Sequence, residues 1–134
     1  VFPSLRRCAV KGVNMRKNDW RKRIVKSMKE AGTHADCFED VIDTLASILE
    51  ERDRAMEAFE ESGGEVIVEH TNKGGATNIE QNPALRLINS LNMDALAYWR
   101  DLGLTPKGLK AINDSAIKQK DGDAFISALE KLGV

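Results

Sequence analysis

A group of carboxylates near the first third of the chain is the strongest candidate for metal chemistry. Asp36, Glu39, Asp40 and Asp43 are spaced i, i+3, i+4, i+7, which places them on one face of a helix. Such a cluster could hold Mg²⁺. It could also be a solvated first turn that favours the helix dipole, or a surface that meets a basic helix of a neighbouring subunit. We favour the solvated turn and predict no metal.

Other reactive side chains lack the spacing that catalysis requires. His34 and His70 are far apart, and Cys8 and Cys37 stand in neither a zinc-binding nor a C-x-x-C pattern, which predicts reduced thiols. The Gly-rich GGATN after Lys73 has no Lys-Ser/Thr pair, so it predicts a turn rather than a phosphate loop. No nucleophile elbow is present. We therefore predict a protein without catalytic residues, cofactor or enzyme activity.

Charge is distributed very unevenly along the 134 residues, although the net charge is only -1. Residues 1–29 contain ten Lys/Arg against Asp19 alone, so 10 minus 1 gives +9. Residues 30–62 contain two Arg against eleven Asp/Glu, so 2 minus 11 gives -9. A basic segment of this size indicates a polyanionic partner.

Double-stranded DNA is the polyanion that we expect, because Lys and Arg release condensed counterions when they neutralise its phosphates. The alternative is a solubilising tail with a positively charged helix face. Trp20, Tyr98 and Trp99 could stack on bases, but their helical apolar positions favour core packing. No helix-turn-helix pattern is evident. We assign the main DNA contact to Arg16, Lys17, Arg21, Lys22, Lys26 and Lys29.

Two helices must position these charges. The first is predicted from Asn18 or Asp19 to about Ala31, with Gly32 as its stop. The second is predicted from Thr33 to about Ser62. Residues along one side of it step by four and three and form a heptad seam, apolar except for Arg52: Phe38, Ile42, Leu45, Leu49, Arg52, Met56 and Phe59.

The seam needs a partner helix. At least half of it should pack against a helix of the same chain that starts at Pro83. Since the seam is longer than short partner helices would cover, we also predict a subunit interface. The interface residues that we assign are Leu49, Arg52, Met56 and Phe59.

The second half of the chain alternates turn signals with short elements. Glu65 to His70 and the sequence ATNIE predict a small β-hairpin, and Asn82-Pro83 starts a helix that runs to Gly103. Thr105-Pro106 starts a short helix to about Ile112, and a last helix follows the break at Gly122. The fold class is mainly α, with a long central helix or helical hairpin and a possible small β-hairpin.

From about Thr33 to Ile112 this order of elements resembles the small subunit of phage terminases, in the branch of tailed phages with cohesive ends. An Asn-Pro-Ala helix runs into a Leu-Gly-Leu-Thr-Pro turn in that family, and this chain has NPA at 82–84 and LGLTP at 102–106. The family often has Ser and Arg after the Thr-Pro. Here Lys107, Gly108 and Leu109 follow, so no specific contact is carried over from that position.

The resemblance implies a DNA-binding adaptor that forms a cyclic homo-oligomer of more than two subunits. It also implies a role in genome packaging, in which the adaptor recruits and regulates the terminase large subunit, the ATPase and nuclease. A stand-alone oligomeric transcriptional regulator and a scaffold without a nucleic-acid role are the alternatives.

Three regions follow from these predictions. Residues 1–17 are a flexible basic arm, in which 1–14 are expected to be disordered, and 18–112 are a helical oligomerisation and DNA-binding core. Residues 113–134 are a C-terminal helical segment and a candidate contact for the large subunit. Without an apolar run for a signal peptide or a membrane span, the sequence predicts a cytoplasmic protein, and the resemblance implies that the cytoplasm is that of a bacterial host.

Overall fold

The computed structural model describes residues 15–133, so the predicted disorder of residues 1–14 lies outside the described part. The elements are α1 (Lys17–Ala31), a 3-10 turn (Asp36–Phe38), α2 (Glu39–Glu61), β1 (Ile67–Thr71), β2 (Thr77–Gln81), α3 (Pro83–Asp101) and α4 (Pro106–Lys131). The predicted fold class of a mainly α chain with one small hairpin is confirmed. No helix within 15–133 is both long and apolar enough to cross a membrane.

Helix α1 forms where Trp20, Ile24 and Met28 recur every four residues and so share one face. All three are buried. The helix begins at Lys17, slightly before the predicted start, and Arg16 at the N-cap provides no side-chain cap. Its predicted stop is confirmed, because Gly32 adopts the left-handed conformation at φ 75° that glycine tolerates.

The core lies along α2, against which both α1 and α3 pack. Ile42, Leu45 and Leu49 have no exposed surface at all. Burial of each such side chain contributes about 1.5–3 kcal/mol relative to its exposure to water. Trp20 is buried in this core, and Tyr98 and Trp99 pack partly buried against it, as their spacing predicted.

Helix α2 starts at Glu39, six residues after the predicted start at Thr33. The prediction was wrong because Thr33 serves a different contact: its Oγ1 donates to the carbonyl oxygen of Leu102 over 2.9 Å. This bond ties the α1–α2 connection to the end of α3. Ala35 is accordingly extended, at φ -148° and ψ 148°, and a 3-10 turn precedes the helix.

The predicted hairpin is present as two antiparallel strands in which Ile67 pairs with Gln81 and Thr71 with Thr77. Asn82 fixes this hairpin to α3. Its Nδ2 donates to the Glu65 carbonyl over 2.8 Å, while its Oδ1 accepts from the Ala84 N–H over 2.9 Å and so caps the helix. The hairpin itself carries almost no buried surface, since Val68 alone among the strand residues is partly covered.

The corner between α3 and α4 is built from the Leu-Gly-Leu-Thr-Pro segment. Gly103 takes φ 73°, and Thr105 caps α4 by accepting a hydrogen bond from the Gly108 N–H over 3.1 Å. Gly108 lies directly against the carbonyl oxygen of Arg100, where a Cβ would overlap with the backbone. Only glycine therefore permits this close crossing of the two helices.

Helix α4 is one continuous helix, so the predicted break at Gly122 and the predicted end near Ile112 were both wrong. A glycine inside a helix costs about 1 kcal/mol relative to alanine, which weakens the helix without ending it. Gly122 lacks the positive φ of a helix stop. The domain boundary that we placed after Ile112 thus falls within α4.

Candidate nucleic-acid interface

The basic residues of α1 fall into two groups that the structure treats differently. One group faces α2 and is occupied by carboxylates of the same chain. The other points away from α2 and faces solvent. The division separates cations that already have a carboxylate partner in the same chain from cations that have none among the described residues.

Lys17 and Arg21 form the occupied group. Lys17 Nζ lies 2.7 Å from Asp43 Oδ2, and Arg21 Nη2 lies 2.7 Å from Glu39 Oε2. Arg21 Nη1 is also 3.5 Å from Asp43 Oδ1. The hydrogen bond from Lys17, together with the positive charges of Lys17 and Arg21, lowers the pKa of Asp43. These pairs join α1 to α2. Two of the residues that we predicted to contact DNA, Lys17 and Arg21, are thus engaged within the chain.

The same pairs decide how the carboxylate cluster is used. Glu39 and Asp43 contact α1, the basic helix of their own chain. The alternative in the sequence analysis was a basic helix of a neighbouring subunit. Among residues 15–133, no group of three or more His, Cys, Asp or Glu side chains is gathered as metal ligands. Glu39 and Asp43 therefore serve as interhelical contacts between α2 and α1.

Lys22, Lys26 and Lys29 form the solvent-facing group, which we call the lysine stripe. Their i, i+4, i+7 spacing places them along one side of α1, where they line a shallow groove with Val25 and Glu30. All three lysines are exposed. Within the described residues none of them takes part in an ion pair, and the same holds for the exposed Arg16.

The predicted subunit-interface residues are not equivalent in the structure. Leu49 is fully enclosed by its own chain and cannot reach a second subunit unless the core opens. Arg52 is partly buried, with its guanidinium 5.4 Å from the centre of the Trp20 ring. Met56 is 43% exposed, and Phe59 is half-buried near Gly64. Met56 and Phe59 are therefore the two members that remain accessible to a partner.

Sequence reasoning missed a polar contact that fixes the crossing of α1 and α2. Trp20 Nε1 donates to Asp53 Oδ2 over 2.8 Å, and Arg52 Nη2 approaches Asp53 Oδ1 at 3.2 Å. Arg23 lies 5.3 Å from the centre of the same indole ring. Arg23 thus packs on Trp20 by a cation–π contact. The i, i+3 spacing of Trp20 and Arg23 was the available signal for this contact.

The comparison with known families adds an independent finding. The family model described as phage terminase, small subunit, matches residues 17–118. This chain belongs to that family. No match was found among curated proteins or among solved structures.

The matched region extends further than the resemblance noted in the sequence. It includes the whole of α1, which carries the lysine stripe, together with α2, the hairpin, α3 and the first half of α4. Family membership places this terminase small subunit in phage genome packaging. Both the lysine stripe and the tight α3–α4 corner lie inside the matched region.

Proposed function

We propose that this terminase small subunit is the non-catalytic adaptor of genome packaging. It binds double-stranded DNA, assembles into a ring of more than two subunits, and recruits and regulates the terminase large subunit in the cytoplasm of the bacterial host. The observation that carries the DNA-binding part is the lysine stripe. Three exposed lysines on one side of α1 have no ion pair among residues 15–133, whereas Lys17 and Arg21 on the same helix form ion pairs with α2.

The proposal ranks the predicted DNA contacts by their availability. Lys22, Lys26, Lys29 and Arg16 can approach a phosphate directly. Lys17 and Arg21 can do so only by leaving Asp43 and Glu39, which costs them existing contacts. They therefore contribute less to DNA affinity and more to the packing of α1 on α2. Contacts of this kind are largely nonspecific, and a ring multiplies them through effective concentration.

The test exchanges the three lysines of the stripe for glutamate and measures duplex binding across a salt series. Each lost phosphate contact should reduce the slope of log affinity against log salt by about 0.9. We expect the variant Lys22→Glu, Lys26→Glu, Lys29→Glu to lose binding at moderate salt. Its helicity and particle mass should match those of the parent.

The chain offers a control with the same change in net charge. Lys110, Lys120 and Lys131 are also exposed, but they lie on α4. Their triple exchange to glutamate should leave most of the affinity intact if the stripe is the site. Equal losses in both triple variants would show that DNA responds to net charge alone. An unchanged affinity in the stripe variant would place the DNA surface elsewhere.

Adaptor activity requires a different measurement. We expect the purified protein to hydrolyse neither ATP nor DNA, and to change the ATPase rate of its matching large subunit. The stripe variant should retain a DNA-independent effect on that rate while losing any DNA-dependent part. Hydrolysis that copurifies with the chain would contradict the non-catalytic role, and a large subunit that does not respond would favour a stand-alone DNA-binding regulator.

The ring itself is tested by the mass of the particle in solution. Met56→Asp places a charge on the accessible end of the α2 seam, and Phe59→Asp does so beside Gly64. If this surface lies between subunits, the mass should fall in both variants. A parent protein that is monomeric at micromolar concentration would overturn the ring proposal.

A further inference from the structure

Two cations of α1 are paired with carboxylates of α2 at the border of the lysine stripe. Lys17 contacts Asp43 and Arg21 contacts Glu39, each over 2.7 Å. Arg21 reaches both carboxylates, since its Nη1 lies 3.5 Å from Asp43 Oδ1 while its Nη2 contacts Glu39. Both terminal nitrogens of this guanidinium are therefore directed at oxygen atoms of α2. A phosphate oxygen would compete for the same nitrogens.

Val25 lies between the paired cations and the stripe on the surface of α1. Arg21 precedes it by four residues, Lys22 precedes it by three, and Lys29 follows it by four. A shallow groove next to the start of α2 is lined by Asn18, Arg21, Lys22, Val25 and Glu39. Lys22 and Val25 also line the groove of the stripe. DNA on the stripe would therefore lie within reach of Arg21 and close to the carboxylate of Glu39.

The ion pairs between α1 and α2 are of a kind that can exchange. Their side chains are about two-fifths exposed. Exposed ion pairs contribute little to stability, because water and salt screen them. Carboxylate and phosphate oxygens are both negatively charged and both accept charged hydrogen bonds from Lys and Arg. The carboxylates of α2 thus contact the cations as a phosphate would, without fixing them permanently.

We propose that Glu39 and Asp43 are intramolecular competitors of DNA phosphate and limit the number of cations that α1 presents to a duplex. The inference rests on the DNA site in the proposed function and adds the regulation of that site. A phosphate must displace a carboxylate before Lys17 or Arg21 can bind it. Glu39 also repels phosphate directly, because it lines a groove together with Lys22. The two carboxylates therefore keep the affinity for DNA below the value that the basic residues of α1 would otherwise give.

The first experiment removes both competitors and measures duplex binding across a salt series. The double variant Glu39→Gln, Asp43→Asn keeps the size of the two side chains but not their charge. Released Lys17 and Arg21 should add up to two phosphate contacts. The slope of log affinity against log salt should then become steeper by up to about 1.8, at about 0.9 per contact. We expect binding several-fold tighter than that of the parent at moderate salt.

The matched control removes two carboxylates from the same part of the chain that hold no cation. Asp36 and Asp40 are exposed and form no ion pair among residues 15–133. The double variant Asp36→Asn, Asp40→Asn changes the net charge by the same amount, and its slope should stay close to that of the parent. Equal steepening in both double variants would overturn the inference, since net charge alone would then explain it.

The second experiment tests whether the released cations cause the tighter binding. Lys17→Gln and Arg21→Gln are added to Glu39→Gln, Asp43→Asn, which restores the net charge of the parent and removes all three ion pairs. We expect the salt slope to return to the value of the parent. If the fourfold variant keeps the steeper slope, Lys17 and Arg21 do not contact DNA and the inference is wrong.

Single substitutions repeat the test if circular dichroism shows that a double variant has lost its helices. Glu39→Gln is then compared with Glu30→Gln. Glu30 also lines a groove with Lys22 and Val25, but it forms no ion pair within the described residues. Only Glu39→Gln should steepen the slope, by up to about 0.9. Equal slopes in the two single variants would contradict the inference.

The stripe variant separates failure of this inference from failure of the DNA site. If Lys22→Glu, Lys26→Glu, Lys29→Glu binds duplex DNA as well as the parent does, the proposed DNA site and the inference are both wrong. If the stripe variant loses binding while Glu39→Gln, Asp43→Asn binds with the affinity and slope of the parent, the DNA site stands and the inference alone is wrong.

Discussion

Helices α1 and α4 differ in how much of their surface is covered by the rest of the chain. In the 15 residues of α1, Trp20, Ile24 and Met28 are buried against α2. In the 26 residues of α4, Gly108 alone is buried. Helix-forming sequence therefore produced both elements, but tertiary packing supports only α1 within one subunit. The difference separates a helix that stabilises the monomer from one whose surface remains available to partners.

The largest expected effect is on the free energy of unfolding when one side chain is truncated in each of the two helices. Ile24→Ala should lower the free energy of unfolding by about 2–5 kcal/mol, because Ile24 has no exposed surface and its loss leaves a cavity. Phe125→Ala should change it by less than about 0.5 kcal/mol in a dilute single chain. Urea unfolding measures both. A large loss from Phe125→Ala under those conditions would show that α4 packs within its own subunit.

A second prediction concerns the junction that joins α4 to the core. Gly108→Ala places a methyl group against the Arg100 carbonyl oxygen, which belongs to rigid backbone. We expect a destabilisation of about 1–3 kcal/mol, as for other overpacked sites. Thermal unfolding tests this prediction. Stability equal to that of the parent would mean that the two helices can separate at this point without cost.

A third prediction concerns another glycine of α4, where the same substitution should stabilise the helix rather than destabilise the protein. Gly122 has open space around its Cα, so Gly122→Ala adds a methyl group without a clash. The substitution should stabilise α4 by up to about 1 kcal/mol, since alanine is the better helix former. Hydrogen exchange of the α4 amides reports this local effect. Faster exchange in the variant would contradict the continuous helix.

The smallest predicted effect concerns the ion pairs between α1 and Asp43 of α2. The pKa of Asp43 is lowered in the folded chain by Lys17 and Arg21, so folding favours its ionised form. Its contribution to stability is present above the unfolded-state pKa of about 3.9 and is lost as the pH falls through the lower folded value. The effect is small because these side chains are about two-fifths exposed.

The stability difference between the parent and Asp43→Asn should therefore shrink on acidification below about pH 4. Unfolding in urea across a pH series measures this difference. A constant gap between the two proteins at all pH values would show that the ion pairs do not link Asp43 to folding. Asp40→Asn on the exposed side of α2 provides the control for loss of a carboxylate.

Sequence predicted those parts of the fold that depend on local backbone chemistry. Gly32 ended α1, and Asn82-Pro83 and Thr105-Pro106 started α3 and α4, because caps and prolines act within one or two residues. The start of α2 was not predictable in this way. It depends on the contact of Thr33 with Leu102, which is distant in the chain.

The candidate site was predicted less completely than the fold. Charge counts identified α1 as basic, but they could not show that Lys17 and Arg21 would contact α2 while Lys22, Lys26 and Lys29 would not. That division follows from the crossing of the two helices. The heptad seam likewise could not show that Leu49 is buried while Met56 is exposed, since this depends on where α1 and α3 cover α2.

The α3–α4 corner gives the molecule a mechanical property. Helix α4 extends about 39 Å from this pivot, so a tilt of about 10° displaces its far end by about 7 Å. Two contacts resist such a tilt: the Thr33 hydrogen bond to Leu102 and the close approach of Gly108 to Arg100. The rigidity of the α3–α4 corner therefore determines the direction of α4, and a small change in angle at the corner produces a large displacement of the C-terminal end of the helix.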